Sequence, residues 1–177
     1  MSGNVRQTLM NEYVSGHKHL DLFYERHFLN MEDGGTISVD WLMPEEKPAG
    51  KRKVCVIFPG LSGGSERGYV KICAKVLIKE GYEVAVLHPR GFGNTEYTST
   101  CFQSMSSNEE FIKGLNFIKS HAKDADLVGI GMSAGACHMC RVAGDMKDDF
   151  PLKAMVSVNN PFDLWSTINL MRGKVYE

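Results

Sequence analysis

Leu127-Val128-Gly129-Ile130-Gly131-Met132-Ser133-Ala134-Gly135 is the stretch that decides the fold of this chain. Its first four residues form an apolar run that predicts a buried strand, and residues 135–145 are predicted to form a helix. A turn this sharp between a strand and a helix leaves no room for side chains on its flanks, so glycine is needed there. The pattern therefore predicts that Ser133 lies at the apex of the turn, with its hydroxyl above the sheet.

A serine presented in this way is a candidate nucleophile. The helix behind it begins with unpaired N–H groups and a partial positive charge, which would stabilise the oxyanion formed when Ser133 attacks a carbonyl carbon. The plainer interpretation is a small residue in a tight turn, because Gly-x-Ser-x-Gly also occurs by chance. The position between a predicted strand and a predicted helix favours the nucleophile.

A glycine-rich loop at residues 59–65 supports the same chemistry. An acyl-transfer site needs two hydrogen-bond donors on the developing oxyanion. One is the N–H of the residue after the nucleophile, Ala134, and the candidate for the other is the N–H of Leu61. The glycines of this loop also suit an ordinary turn, and the two interpretations are compatible.

Strands and helices are predicted to alternate along most of the chain. The continuous apolar runs at residues 54–58 and 84–87 indicate buried strands, and apolar residues that recur at i, i+4, i+7 and i+11 from Phe111 indicate an amphipathic helix. The predicted strands cover residues 54–58, 84–87, 127–130 and 152–158, and the predicted helices cover residues 69–80, about 111–122, 135–145 and 164–172. Cys73, Val76 and Leu77 should share the inner face of the helix that ends at Gly81, and Asp163 should cap the last helix.

A hairpin precedes this alternating region. Residues 26–31 and 37–41 flank the turn sequence Asp33-Gly34-Gly35. In the second arm, apolar residues at 37, 39 and 41 alternate with Ser38 and Asp40, which predicts a half-buried strand. Residues 44–52 are polar and contain two prolines, which indicates a surface loop.

The alternation predicts the α/β class, with a mainly parallel sheet and helices on both faces. In such folds the loops that follow the strands meet at one edge of the sheet. The loops at residues 59–65, 88–94, 131–135 and 159–163 should therefore line one cleft.

A dinucleotide site is the main rival, because residues 129–134 also fit Gly-x-Gly-x-x-Ala after a strand. That motif requires an acidic residue about 20 positions on, at the end of the next strand. Here that strand ends in Val158-Asn159-Asn160, and Asp163 comes too late. The sequence therefore disfavours this alternative.

Other polar residues near the predicted cleft have structural interpretations. If its strand lies two places from the strand that leads to Ser133, His88 is about 10 Å from the serine, which is too far for a general base. We expect His88 and His138 to be packing residues, and we expect Arg90 to form salt bridges or to bind backbone carbonyls. Cys137 and Cys140 lie near one helix face without a second pair of metal ligands, so they are expected to be reduced core thiols.

Composition indicates an ordinary globular protein. The net charge is −1, the apolar content is 43%, and the 20 lysines and arginines are scattered, so no nucleic-acid partner is expected. We expect no cofactor and no metal. The chain shows neither a signal peptide nor an apolar run of about 20 residues, which predicts a cytoplasmic protein without a transmembrane segment.

Several segments in order resemble the α/β-hydrolase superfamily, and within it the embryogenesis-associated group of abhydrolase-domain esterases and lipases. The matching segments are Asp33-Gly34-Gly35 to Asp40-Trp41, Phe58-Pro59-Gly60-Leu61-Ser62-Gly63, Pro89-Arg90-Gly91-Phe92-Gly93, Gly131-Met132-Ser133-Ala134-Gly135 and Asn160-Pro161-Phe162-Asp163-Leu164. The chain departs mildly from many relatives, with Pro59 where they have histidine.

The resemblance implies a serine hydrolase that acts on carboxylic esters, often acylglycerols or other lipid esters. Ser133 would form the acyl-enzyme, Leu61 and Ala134 would bind the oxyanion, and a full-length form would contact membranes peripherally. The family also needs a later acid and histidine. We therefore expect residues 1–25 to be an N-terminal extension and residues 26–177 a partial domain that stops after the sixth strand, inactive by itself. The alternative is a non-catalytic binding or interaction protein that keeps the fold without the triad.

Overall fold

Six strands, four α-helices and a short 3-10 helix at Lys147–Asp149 are described in the computed structural model, which covers residues 21–46 and 50–175. The strands are β1 (Glu25–Asn30), β2 (Thr36–Leu42), β3 (Lys53–Phe58), β4 (Glu83–His88), β5 (Asp126–Met132) and β6 (Ala154–Val158). The helices are α1 (Gly68–Lys79), α2 (Glu109–His121), α3 (Ala134–Met146) and α4 (Leu164–Val175). Residues 1–20 of the predicted N-terminal extension and residues 47–49 of the predicted surface loop lie outside the described part.

The strands form one sheet in the order β1-β2-β4-β3-β5-β6. β1 and β2 form the predicted hairpin, and β2 also runs antiparallel to β4. β4, β3, β5 and β6 are parallel to their neighbours. The predicted α/β architecture is confirmed, and β3 lies between the strand that ends in His88 and the strand that leads to Ser133.

Two apolar cores cover the two faces of the sheet. On one face, α2 and α3 pack on the sheet through side chains such as Leu115, Ile118 and Met139. On the other face, α1 contributes Val70 and Ala74 to the second core. Each large apolar side chain that is fully buried stabilises the fold by about 2 kcal/mol. The inner face predicted for α2 is confirmed, since Phe111, Leu115, Ile118 and Ala122 are all buried.

The prediction that β2 is half buried is wrong. Ser38 and Asp40, which alternation placed on the exposed face, are only 0% and 2% exposed. β2 lies inside the sheet between β1 and β4, and its second face contacts polar side chains from other segments. Period-two alternation distinguishes the two faces of a strand, but it does not distinguish solvent from a buried polar cluster.

The inner face predicted for α1 needs one correction. Val76 is 56% exposed, whereas Val70 and Ala74 are fully buried. A helix turns 100° per residue, so the face centred on these two positions includes Cys73 and Leu77 and leaves Val76 outside. The predicted end of the helix is confirmed: Gly81 has a φ of +77°, and the Tyr82 N–H donates to the Leu77 carbonyl at 3.0 Å.

The last strand and helix carry exposed apolar side chains. In β6, Met155 and Val156 are 43% and 58% exposed, and Trp165 in α4 is 72% exposed. The predicted cap of α4 is confirmed, because both carboxylate oxygens of Asp163 accept hydrogen bonds from Ser166, one from its N–H at 2.9 Å and one from its hydroxyl at 2.6 Å. Among the described residues, no helix combines the length and the apolar content needed to cross a membrane.

Candidate active site

Ser133 lies between β5 and α3 in an uncommon backbone conformation. Its φ is +54° and its ψ is −121°, a combination that costs a residue with a side chain about 1–3 kcal/mol. The Ser133 N–H donates to the Val158 carbonyl at 2.9 Å, which ties the turn to β6. The side chain is exposed, and its hydroxyl makes no hydrogen bond within residues 21–46 and 50–175. The fold therefore keeps a strained backbone that presents an unpaired hydroxyl.

The two glycines that flank the turn are required by close backbone contacts. A Cβ at Gly131 would lie 2.6 Å from the Ala136 Cα, and a Cβ at Gly135 would overlap the carbonyl oxygens of Phe58 and Pro59. The start of α3 is thus pressed against the end of β3. These contacts explain why glycine is required at positions 131 and 135, as the sequence predicts.

The loop after β3 forms a tight turn beside Ser133. The Gly63 N–H donates to the Gly60 carbonyl at 2.8 Å, and Ser62 has a φ of +56°, as in a type II turn. In such a turn the N–H of the second residue, here Leu61, has no partner inside the turn. A Cβ at Gly60 would lie 3.4 Å from the Ser133 Cβ, so the turn and the serine are in contact range.

Leu61 and Ala134 line the same small cleft, whose volume is about 20 Å³. Within the described ranges, neither of their N–H groups donates a hydrogen bond. The loops after β3, β4 and β5 all contribute to this cleft, as predicted, but residues 159–163 do not line it. The larger cavity, of about 720 Å³, shares Gln103 and Phe111 with the cleft. Ser133 is not among the lining residues of either one; it lies beside the cleft, next to Ala134.

His88 is a packing residue, as the sequence predicts. It is 1% exposed, its Nε2 accepts a hydrogen bond from the Ser65 N–H at 2.9 Å, and its Nδ1 lies 3.1 Å from the Ser38 hydroxyl. Since Nε2 accepts, Nδ1 carries the proton and donates to Ser38. Burial lowers the pKa of His88 to about 4. Both ring nitrogens are occupied, so this histidine cannot serve Ser133.

His138 is also held in a fixed structural role. Its ring stacks on Phe111 with 4.3 Å between centroids, and Nδ1 lies 3.1 Å from the Asn108 Oδ1. Nε2 lies 3.0 Å from the Gln103 side-chain nitrogen. Burial lowers the pKa of His138 to about 4. The ring contributes to the wall of the cleft and is neutral at physiological pH.

A buried polar cluster behind the loop after β3 was not predicted. Asp40 accepts two hydrogen bonds from Arg26, at 2.6 and 2.7 Å, and a third from the Ser65 hydroxyl. Burial raises the pKa of Asp40, but the hydrogen bonds from Arg26 and Ser65 outweigh this effect, so the pKa lies below its usual value. Alternation along β2 had assigned Asp40 to solvent, and its partners lie 14 and 25 positions away in the sequence.

The remaining candidate residues have the predicted structural surroundings. Arg90 forms ion pairs with Asp33 and Glu110, each at 2.5 Å. Cys137 is buried and Cys140 half-buried, and both are free thiols. Among the described residues there is no group of three or more potential ligands that could hold a metal ion.

A family model described as alpha/beta hydrolase fold matches residues 53–177. The embryogenesis-associated protein EMB8 of Picea glauca is 31% identical over 147 residues, which are 78% of this chain and 32% of that protein. The monoacylglycerol lipase ABHD2 of Mus musculus is 33% identical over 122 residues, which are 68% of this chain and 29% of the lipase. This chain therefore spans about a third of the length of these relatives.

Solved structures show the same fold at lower identity. The esterase Pf2001 of Pyrococcus furiosus superposes with a TM-score of 0.65 at 21% identity, over 83% of this chain and 55% of the esterase. A serine hydrolase from Xanthomonas campestris superposes with a TM-score of 0.65 at 19% identity, over 82% of this chain and 66% of that protein. At these identities the likeness shows the fold alone.

Proposed function

The chain belongs to the α/β-hydrolase family, and from that premise we propose that it carries the nucleophile of a serine hydrolase acting on carboxylic esters. One observation carries the proposal. The exposed, unpaired hydroxyl of Ser133 lies at a strained turn beside a cleft lined by Leu61 and Ala134, whose N–H groups have no partner within the described ranges.

The proposed chemistry is acyl transfer in two steps. The Ser133 Oγ attacks the carbonyl carbon of the ester and loses its proton to a general base, and the carbonyl oxygen becomes an oxyanion. The N–H groups of Leu61 and Ala134 donate to that oxyanion. The oxyanion then collapses, the alcohol leaves with the proton, and water releases the acid from the acyl-enzyme.

The general base belongs to a part of the protein outside residues 21–46 and 50–175. His88 and His138 are occupied on both nitrogens. His27 and His121 pack against each other at the far end of α2, with their ring centroids 4.9 Å apart. We therefore propose that residues 26–177 form a partial hydrolase domain, which supplies the nucleophile and the oxyanion donors, while the triad acid and histidine come from elsewhere in the full-length protein.

For the substrate we propose acylglycerols or other lipid esters. The relative ABHD2 is named as a monoacylglycerol lipase. Exposed apolar side chains also surround the carboxyl edge of the sheet, where Leu61 is 68%, Phe162 84% and Trp165 72% exposed. Such side chains suit peripheral contact with a lipid surface, which is part of this proposal.

The test is hydrolysis by the full-length protein of a short-chain p-nitrophenyl ester and of a monoacylglycerol. We expect Ser133→Ala to lower kcat by about 10⁴-fold or more, because the nucleophile is lost. Ser120→Ala is the matched control, since Ser120 is exposed at the far end of α2 and its hydroxyl bonds only to the Phe117 carbonyl. We expect the 177-residue chain alone to be inactive.

Two results would contradict the proposal. One is hydrolysis that survives Ser133→Ala at the wild-type rate. The other is a folded full-length protein that hydrolyses neither ester, which would favour a non-catalytic binding protein.

A further inference from the structure

The hydroxyl of Tyr69 contacts the turn that carries the Leu61 N–H. Tyr69 is the second residue of α1, and its hydroxyl oxygen accepts a hydrogen bond from the Gly60 N–H at 3.0 Å. The contact is close, because a Cβ at Gly63 would overlap the same hydroxyl oxygen. A side chain nine positions away in sequence thus holds the first residue of the turn.

The Tyr69 ring is itself held by the core. It packs against the buried cluster that contains Ile57, Val70 and Ala74. Its position is therefore set by the end of β3 and by α1 together, so the hydroxyl is a fixed point. Burial raises the pKa of Tyr69 above its usual value, so the hydroxyl keeps its proton at neutral pH.

Gly60 needs such a fixed point. Glycine has more backbone freedom than any other residue, and a rotation about Gly60 would turn the next peptide group, which carries the Leu61 N–H. The Gly60 carbonyl is held by the Gly63 N–H at 2.8 Å, and the Gly60 N–H is held by Tyr69. The two hydrogen bonds restrain both sides of the flexible residue.

We propose that Tyr69 is a positioning residue for acyl transfer, whose hydroxyl holds the turn at residues 60–63 so that the Leu61 N–H faces the oxyanion. This inference rests on the proposed function. Tyr69 acts through Gly60 and touches neither the ester nor the reacting oxygen. The Tyr69 hydroxyl should therefore strengthen binding of the transition state, in which the oxyanion exists, and leave binding of the neutral ester unchanged.

The experiment compares full-length Tyr69→Phe with wild type, because this change removes the hydroxyl and keeps the packed ring. Tyr82→Phe is the matched control, since the Tyr82 hydroxyl makes no hydrogen bond within the described ranges and lies just before β4, at the opposite edge of the sheet. Three quantities are measured: kcat and KM with p-nitrophenyl butyrate, the affinity for a phenylboronic acid that forms a tetrahedral anion on Ser133, and amide hydrogen exchange at residues 59–63.

For Tyr69→Phe we expect kcat to fall about tenfold with KM within about twofold, because a misplaced donor weakens only transition-state binding. The boronic acid affinity should fall by the same factor as kcat. Exchange of the Gly60 amide should speed up about fivefold, since one hydrogen bond is lost. Tyr82→Phe should leave all three quantities unchanged.

The exchange measurement separates this inference from the proposed function. Wild-type exchange at Gly60 in Tyr69→Phe would overturn the positioning role, and so would wild-type kcat and boronic acid affinity in that variant. If wild type hydrolyses no ester while Tyr69→Phe still speeds exchange at Gly60, the proposed hydrolase function fails and the restraint of the turn by Tyr69 is upheld.

Discussion

Two groups of polar residues lie near the same edge of the sheet, and they differ in how their hydrogen bonds are satisfied. The buried cluster of Asp40, Ser65 and His88 contains the three residue types of a catalytic triad, with the His88 Nδ1 3.9 Å from an Asp40 oxygen. The turn at Ser133 contains only a serine and backbone N–H groups. Residue types alone would place the chemistry in the cluster.

The hydrogen bonds instead favour the turn at Ser133 as the reactive group. The Ser65 hydroxyl donates to Asp40, and His88 accepts from the backbone N–H of Ser65. Each member of the cluster is buried and partnered, so none can accept a proton from a substrate or attack it. At the turn, the Ser133 hydroxyl is exposed and unpaired within the described ranges. Buried groups with partners stabilise the fold, whereas unpaired groups at a cleft are available to a ligand.

Among the variants that test this difference between the two groups, Leu61→Pro should have the largest effect, which is on kcat. Proline has no N–H, so the change deletes the proposed oxyanion donor. It should leave the turn intact, because proline is favoured at the second position of a type II turn. We expect kcat of the full-length protein to fall by about 10²–10³-fold.

Leu61→Ala is the control for that variant. It keeps the N–H and removes a side chain that is already 68% exposed, so kcat should stay within a few-fold of wild type. Equal kcat values for the proline and alanine variants would show that this N–H does not stabilise the transition state.

Gly135→Ala is expected to lower the free energy of unfolding by about 3 kcal/mol. The new Cβ would overlap the Phe58 and Pro59 carbonyl oxygens, which belong to the backbone and cannot move independently. Gly144→Ala is the matched control in the same helix, because a Cβ there meets nothing within 4 Å. It should raise the free energy of unfolding by about 0.5–1 kcal/mol.

Urea unfolding of both variants measures this difference. Similar stability changes at positions 135 and 144 would contradict the close approach between α3 and the end of β3. The strained turn at Ser133 depends on that approach.

Lowering the pH from 6.5 to 5 is expected to have a smaller effect for each residue. It should reduce the free energy of unfolding by about 2 kcal/mol for each of the buried residues His88 and His138. In the folded protein the pKa values of His88 and His138 are both about 4, below the ordinary value of about 6.5 in the unfolded chain. The unfolded state therefore binds protons first as the pH falls. The stability from the two neutral rings is complete above about pH 6.5 and is lost progressively toward pH 4.

The pH dependence of the free energy of unfolding tests this expectation in the full-length protein. His88→Gln should reduce the slope between pH 6.5 and 5 by about half, because one of the two neutral rings is gone. If His88→Gln left the slope at its wild-type value, His88 would bind protons as readily in the folded state as in the unfolded state. That result would contradict its place in the buried cluster.

Local sequence predicted the sheet and the turn well, for physical reasons. The strand around Ile57, the helix face around Leu115 and the turn at Ser133 all depend on periodicity or on glycine, and both can be read within about ten residues. The separation of two strands between His88 and Ser133, which the sequence could give only as a condition, is the one that the sheet shows.

The features that the sequence did not predict depend on packing between separate segments of the chain. The burial of Asp40 depends on Arg26 and Ser65, which lie on other segments, and the exposure of Val76 depends on where α1 meets the sheet. The contact of Tyr69 with Gly60 joins a helix to a turn, and no local pattern signals it. The roles proposed for Ser133, Leu61 and Ala134 are still predictions, which the variants above address.

Covalent labelling of the full-length protein with a fluorophosphonate probe, followed by mass spectrometry of its peptides, shows directly whether Ser133 is the nucleophile. The probe phosphonylates a serine hydroxyl that an enzyme activates as a nucleophile. We expect a single modified residue, Ser133, and loss of labelling in Ser133→Ala. A folded protein that remains unlabelled, or that is labelled at Ser65 in the buried cluster, would show that Ser133 is not the nucleophile.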